Sequence, residues 1–460
     1  MALETLPPEL LSLILQAVDS STTFHHLISA SPSCLRAFSQ SPSLILSAVL
    51  KNALPGGNLR HALAVLQVPS TYDKIPAFLE KYFDPSSTFD FPTNRASLLQ
   101  LSGLCNCLSY LLDQFVEESL SDLHRHDASE NRGNLDEKQD LPSAVELPPP
   151  LSASERVRLQ RAFLRFELYC RVFPGHRGDP NGPTGRAAPT HRAAEQARLF
   201  LSRLIPWEVE EMCCIEQHFY TLIRRIIRDL DNALVTAVRT APGVVLPSSA
   251  KEPPLREHVG QVDLVPFENL DETDLTFFSQ WERLFFPDYD NYMSSLGLDF
   301  MYKLVMSAGR QRLALVTLNS RESREEGFLR EALDARARGV DWPHPPKDPA
   351  ATDDDDTFSR NLGYRLFGKK RGDNNYMLIF RARIDRLTIR HLGYVFWDAA
   401  RIRSPAVYEK LVAAKRAPTD DFHLVFRRRK SVEARLEGVK LPRDQMKRIE
   451  KEFGSPVLGE

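Results

Sequence analysis

Apolar positions recur at helical rather than strand spacing along most of the chain. Near the start, Leu11, Ile14, Leu15 and Val18 fall at i, i+3, i+4 and i+7, which predicts one apolar helix face. Leu10 and Leu13 lie off that stripe and widen the apolar surface. The run Leu6-Pro7-Pro8-Glu9 suits a helix start. Proline costs nothing in a first turn, where its missing N–H would be unpaired anyway, and Glu9 complements the positive end of the helix. A second short helix follows with Phe24, Leu27 and Ile28. Pro32 stops it or starts the next, which places Leu35 and Phe38 together, and Pro42 opens a fourth segment with Leu44, Ile45, Leu46, Val49 and Leu50. Residues 1–54 therefore read as a three- or four-helix unit. A unit this small is marginal alone, so its apolar excess suits packing on the rest of the chain or on a partner.

The same spacing continues downstream. Leu98, Leu99, Leu101, Leu104, Leu108, Leu111 and Leu112 mark an amphipathic helix inside a helical extension, residues 55–123. Polar residues dominate residues 124–155, where few aromatics are present to offset ordering entropy, and a disordered linker is expected there. Residues 156–425 form a larger helical region. Its first helix interleaves Leu159, Phe163, Phe166 and Tyr169 with Arg156, Arg158, Arg161 and Arg165. Two more helices are expected between Ala193 and Thr240, broken at Pro206, with loose loops over 174–190, 241–254 and 340–357. An aromatic cluster around Trp281 reads as core. Met377–Phe380 and Tyr394–Trp397 are expected as short strands. Residues 426–460 read as a charged tail, either a solvated helix or disordered. The predicted class is mainly α, with a few short strands.

Composition narrows the function only a little. Lys+Arg 59 against Asp+Glu 61 leaves a net charge of −2, which argues against a protein built for nucleic acid. No run approaches the ~18 apolar residues of a membrane span. No secretory leader is evident, and six Cys are too few for a disulfide scaffold. A cytoplasmic or nuclear location is expected, with no nucleic acid and no membrane as partners.

No catalytic, cofactor or metal motif stands out. Residues 363–370 have the spacing of a phosphate loop up to Lys369, but Lys370 stands where the Ser or Thr that would hold magnesium is needed. Asp353–Asp356 reads as a solvated acidic loop, and His124, His126 and Asp127 lack further ligands. Cys105, Cys107, Cys213 and Cys214 read as buried thiols, and Cys214 with His218 lacks an orienting acid. Arg381, Arg383, Arg386 and Arg390, like Arg427–Lys430, read as solvated or ion-paired faces. No catalytic residue, metal or cofactor is expected.

One resemblance is specific. The segment LPPELLSLIL, then a short helix, then ISASPSCLRAF and SPSLILSAVL, resembles an F-box, in particular the F-box-like segment of filamentous-fungal proteins. Leu6, Pro7, Glu9, Leu10, Leu11, Ile14 and Leu15 match the family pattern, and Leu392–Asp398 is similar to C-terminal parts of such proteins. The resemblance implies a non-catalytic substrate-recognition subunit of a Skp–cullin–F-box ubiquitin ligase. Leu6, Pro7, Leu10, Leu11, Ile14 and Leu15 would bind the Skp-type adaptor, through it a cullin, and the remainder would capture an unknown protein substrate. The other expectation is a helical scaffold whose F-box-like segment packs internally and binds no adaptor.

Overall fold

The computed structural model describes residues 3–55, 57–124, 149–174, 192–246, 292–319, 328–338, 361–368, 387–416, 435–436 and 439–453. Helix accounts for 78% of these, and they contain no sheet, so the protein is mainly α.

Four short helices open the chain: α1 (Pro8–Gln16), α2 (Ser21–Ala30), α3 (Pro32–Gln40) and α4 (Pro42–Ala53). Their starts follow from local chemistry. The Ser20 hydroxyl accepts from the Thr23 N–H, and the Ser31 hydroxyl accepts from the Cys34 N–H. Proline occupies the first turn of α1, α3 and α4. Leu11, Leu15, Phe24, Cys34, Ala37, Ile45 and Val49 close a small core of their own. Phe24 and Phe38 meet edge to face at 5.2 Å.

The larger body has a second, separate core. It begins with α5 (Asn58–Leu66) and α6 (Ile75–Phe83). Three long helices follow: α7 (Arg95–His124), α8 (Ala153–Val172) and α10 (Pro206–Arg239), with the short α9 (Ala193–Leu199) before α10. α11 (Gly297–Met306), α12 (Gly309–Asn319), α13 (Leu329–Arg338) and α14 (Leu362–Phe367) surround them. α15 (Leu387–His391), α16 (Ala399–Ile402), α17 (Pro405–Arg416) and α18 (Arg443–Phe453) complete the described helices.

The two cores share one helix. Ile45 and Val49 of α4 enter the small core, whereas Leu50 and Leu54 enter the large one. Polar bonds reinforce the junction. The Asn52 amide donates to the carbonyls of Gln16 and Val18 at the end of α1. Gln160 donates to the Ala53 carbonyl, and Asn58 to the Val157 carbonyl.

α8 lies at the centre and is buried along most of its length, polar Glu155, Gln160 and Glu167 included. Four of its arginines tie it to three other parts of the fold. Arg156 approaches Asp113 of α7 at 3.7 Å, Arg161 meets Glu211 of α10 at 2.7 Å, and Arg165 meets Glu208 of α10 at 2.6 Å. Arg158 meets Asp398 at 2.6 Å and also donates to the Phe396 carbonyl.

Several expectations need correcting. Tyr394–Trp397 is a succession of turns, not a strand. All four side chains are buried, and their neighbours are side chains rather than a strand partner. The Trp397 indole donates to the Leu392 carbonyl and Asn361 donates to the Val395 carbonyl, so hydrogen bonding is met without a ladder. Residues 149–155, read as linker, are held in place. Arg401 donates to the carbonyls of Pro149 and Pro150, and Ser152 with Glu155 forms a capping box on α8. Leu99 is exposed although its heptad neighbours are buried. Part of the charged tail docks on the body, because Leu436 and Ile449 are buried and Val245 pairs with Lys440 in a single bridge. Residues 125–148, the Trp281 cluster, Met377–Phe380 and Asp353–Asp356 lie outside the described residues.

Candidate functional site

The six residues assigned to adaptor contact divide into two groups. Leu11 and Leu15 are buried in the small core, 2% and 0% exposed, and Leu6 is half-buried against it. Pro7, Leu10 and Ile14 are exposed. Leu10 and Ile14 lie one turn apart on α1, and Leu13 stands beside them at 60% exposure. α1 therefore has two apolar faces. One closes its own core, and the other has no partner among the described residues. The small unit also exposes Leu35 on α3 and Leu44 on α4. The period-3.6 stripe of Leu11, Ile14, Leu15 and Val18 included the two buried leucines but also Ile14, which is exposed. It missed the outward one, whose signal was the pair of leucines, Leu10 and Leu13, off the main stripe.

A second feature lies where the small unit meets the body. A groove of about 990 Å³ runs between α2 and α7. Ser21, Thr22 and His25 of α2 form one wall. Asn106, Tyr110, Asp113, Glu117 and Ser121 recur along α7 at three- and four-residue steps and share one helix face. Tyr302 of α11 closes one end, edge to face with Tyr110 at 5.2 Å. Arg225 and His391 lie at the other end, against Glu118 and Asp122 respectively. Burial lifts the Asp113 carboxyl above its ordinary range, and the charge on Arg156 only partly offsets it.

The remaining motifs resolve as structure. All six Cys are free and buried. Burial pushes the Cys105 and Cys213 thiols up to about 12 and raises Cys214, which keeps them protonated and unreactive. His218 is also fully buried, 5.1 Å from the Phe115 ring, and burial holds its pKa well below the usual value, so it stays neutral. Gly363, placed in the phosphate-loop spacing, lies inside α14, where a side chain would collide with the Tyr394 carbonyl. Arg390 of the arginine stripe is largely but not fully buried and forms a two-point pair with Glu210, while Arg381, Arg383 and Arg386 lie outside the described residues. No group of three or more His, Cys, Asp or Glu among the described residues is placed to hold a metal ion. No described helix is long and apolar enough to cross a membrane.

Comparison with known proteins returned nothing: no family model, no curated protein and no solved structure matches the chain.

Proposed function

We propose that the chain is a non-catalytic F-box-type receptor, which joins a Skp-type adaptor through α1 and thereby a cullin ubiquitin ligase, and which captures a protein substrate with its larger body. The supporting observation is the outward face of α1. Leu10, Leu13 and Ile14 are exposed on a helix whose other face already closes a core. Burying a large aliphatic side chain contributes ~1.5–3 kcal/mol, so three such residues supply an anchor against the cost of association. The contact residues on this reading are Pro7, Leu10 and Ile14, joined by Leu13. Leu6, Leu11 and Leu15 hold the helix that presents them.

The test is co-purification of the full chain with a Skp-type adaptor, beside a Leu10→Asp/Ile14→Asp variant. Stoichiometric capture by the wild type and none by the folded variant supports the reading. Equal capture by both removes α1 from the interface. Leu11→Asp is not a suitable control, since it places a charge in the small core.

A second reading follows from α4. Leu50 and Leu54 tie the small unit to the body, as a helical scaffold with an internally packed F-box-like segment requires. On that reading the folded wild-type chain captures no adaptor.

A further inference from the structure

We propose that His218 makes the meeting point of α7, α10 and α15 sensitive to protons: it is closed while the imidazole is neutral and loosens in mild acid. The inference stands apart from the adaptor reading, which uses α1.

The surroundings of His218 are apolar. Its side chain, midway along α10, is 1% exposed. The Phe115 ring of α7 meets it edge to face at 5.1 Å, and the Phe219 ring lies at 5.9 Å. Phe163 of α8 stands edge to face with both of those rings. Neither ring nitrogen of His218 has a hydrogen-bond partner among the described residues. A neutral imidazole left unpaired in this way costs some stability. A charged one costs far more, because a full charge leaves water without a counterion.

The charged groups nearby do not supply that counterion. Glu118 of α7 brings Oε2 to 3.8 Å from Nδ1, beyond hydrogen-bond reach. The same carboxylate meets Arg225 of α10 at 2.5 Å, so its charge is already matched. His391 of α15 meets Asp122 of α7 at 2.9 Å, which occupies the next carboxylate along α7. Cys214, one turn back on α10, is kept protonated by burial and adds no charge. Burial above all, then His391 and Arg225, hold the His218 pKa well below its ordinary 6.5. Burial also lowers His61, but its Nδ1 meets the Tyr82 hydroxyl at 2.8 Å.

The direction of the effect follows from linkage. The opened form takes up a proton as pH falls through 6.5, whereas the closed form does not until well below it. Stability from this site is therefore complete above 6.5 and is lost as pH falls below it. Protonated His218 finds a partner by drawing Glu118 off Arg225 or by reaching water. Either movement parts α7 from α10, and with it the bond from the Ser119 hydroxyl of α7 to the His391 carbonyl of α15.

The experiment is urea denaturation of the full chain at successive pH values from about 7.5 to about 5, for the wild type, His218→Leu and His218→Gln. Comparison with the variants subtracts His61 and the carboxyl groups, which all three chains share. Across this window the wild type should lose up to about thirtyfold more of its folding equilibrium constant than either variant. Hydrogen exchange over the same range supplies the local readout. Protection factors of residues 115–122 and 215–225 should fall in the wild type ahead of those of α3, which carries no histidine. Parallel pH profiles of wild type and variants overturn the proposal. So does a loss of protection no greater at residues 115–122 and 215–225 than in α3. If His218→Leu does not fold at neutral pH, His218→Gln decides, and if neither folds, exchange in the wild type decides.

Discussion

At the scale of the residue, neighbours on α1 have opposite fates. Leu15 is fully buried and Leu10 is 47% exposed. Leu15→Ala should therefore cost ~2–5 kcal/mol through lost contacts and a cavity. Leu10→Ala should stay within about 0.5 kcal/mol. Chemical denaturation of the two variants checks both. The buried ion pairs behave differently. Glu155 is 1% exposed and meets Arg401 at 2.8 Å. Arg401→Met would leave that carboxylate buried and unpaired, and should cost about 3–5 kcal/mol in the same assay. Asp398 supplies a pH dependence. Burial alone would raise its carboxyl, but hydrogen bonds from Ser152, Arg158 and Ser154 outweigh this and hold it down at about 2. A carboxyl lowered in the folded state stabilises the fold above its unfolded value of 3.8, and that contribution disappears as pH falls toward about 2. Asp398→Asn should reduce the loss of stability across that window, as followed by denaturation at successive pH values. Which residues would pair was not legible locally: Arg158 and Asp398 are 240 positions apart.

At the scale of the element, the starts of α1, α3 and α4 were readable, whereas the capped start of α8 and the final buried turn were not. Ser-Pro steps at Ser31-Pro32 and Ser41-Pro42 mark α3 and α4, and capping depends on residues within one turn. Tyr394–Trp397 looked like a strand because its residue types favour strands. In the fold it is a plug of turns between α7, α8 and α10. The Ser119 hydroxyl holds the preceding His391 carbonyl, and Glu210 accepts from the Tyr394 hydroxyl. Gly393 makes the plug possible. Its φ is +63°, and a Cβ there would lie 2.9 Å from the Phe115 ring and 3.0 Å from the Trp397 ring. Gly393→Ala should cost at least ~1–2 kcal/mol from the backbone conformation alone, measured as a lowered denaturation midpoint. α4 shows a second limit of local reading. Its apolar run contains two adjacent stripes, and only the presence of two cores explains why Val49 and Leu50, next to each other, face different ones.

At the scale of the whole molecule, the small unit and the body are joined rather than merely linked. α4 contributes Leu50, and Leu54 just past its end, to the large core and packs on α7. A chain truncated to residues 55–460 should lose that cover and elute as aggregate in size-exclusion chromatography. A monomeric, helical truncated chain would show that the body is self-sufficient. The same joining creates the acidic groove, since one wall belongs to each unit. Neither wall carries a recognisable motif. The α2 residues Ser21, Thr22 and His25 look like an ordinary helix start, and the α7 acids look like a solvated face.

By itself, the sequence determined the mainly α class, the starts of the N-terminal helices and the existence of a small N-terminal helical unit. These rest on side-chain period and on caps that act within three or four residues. Tertiary structure alone decided which leucines of α1 are buried and which are exposed, which acid each α8 arginine meets, and where a groove opens. Those outcomes depend on contacts between segments far apart in the chain, and residue type at one position does not encode the partner at the other.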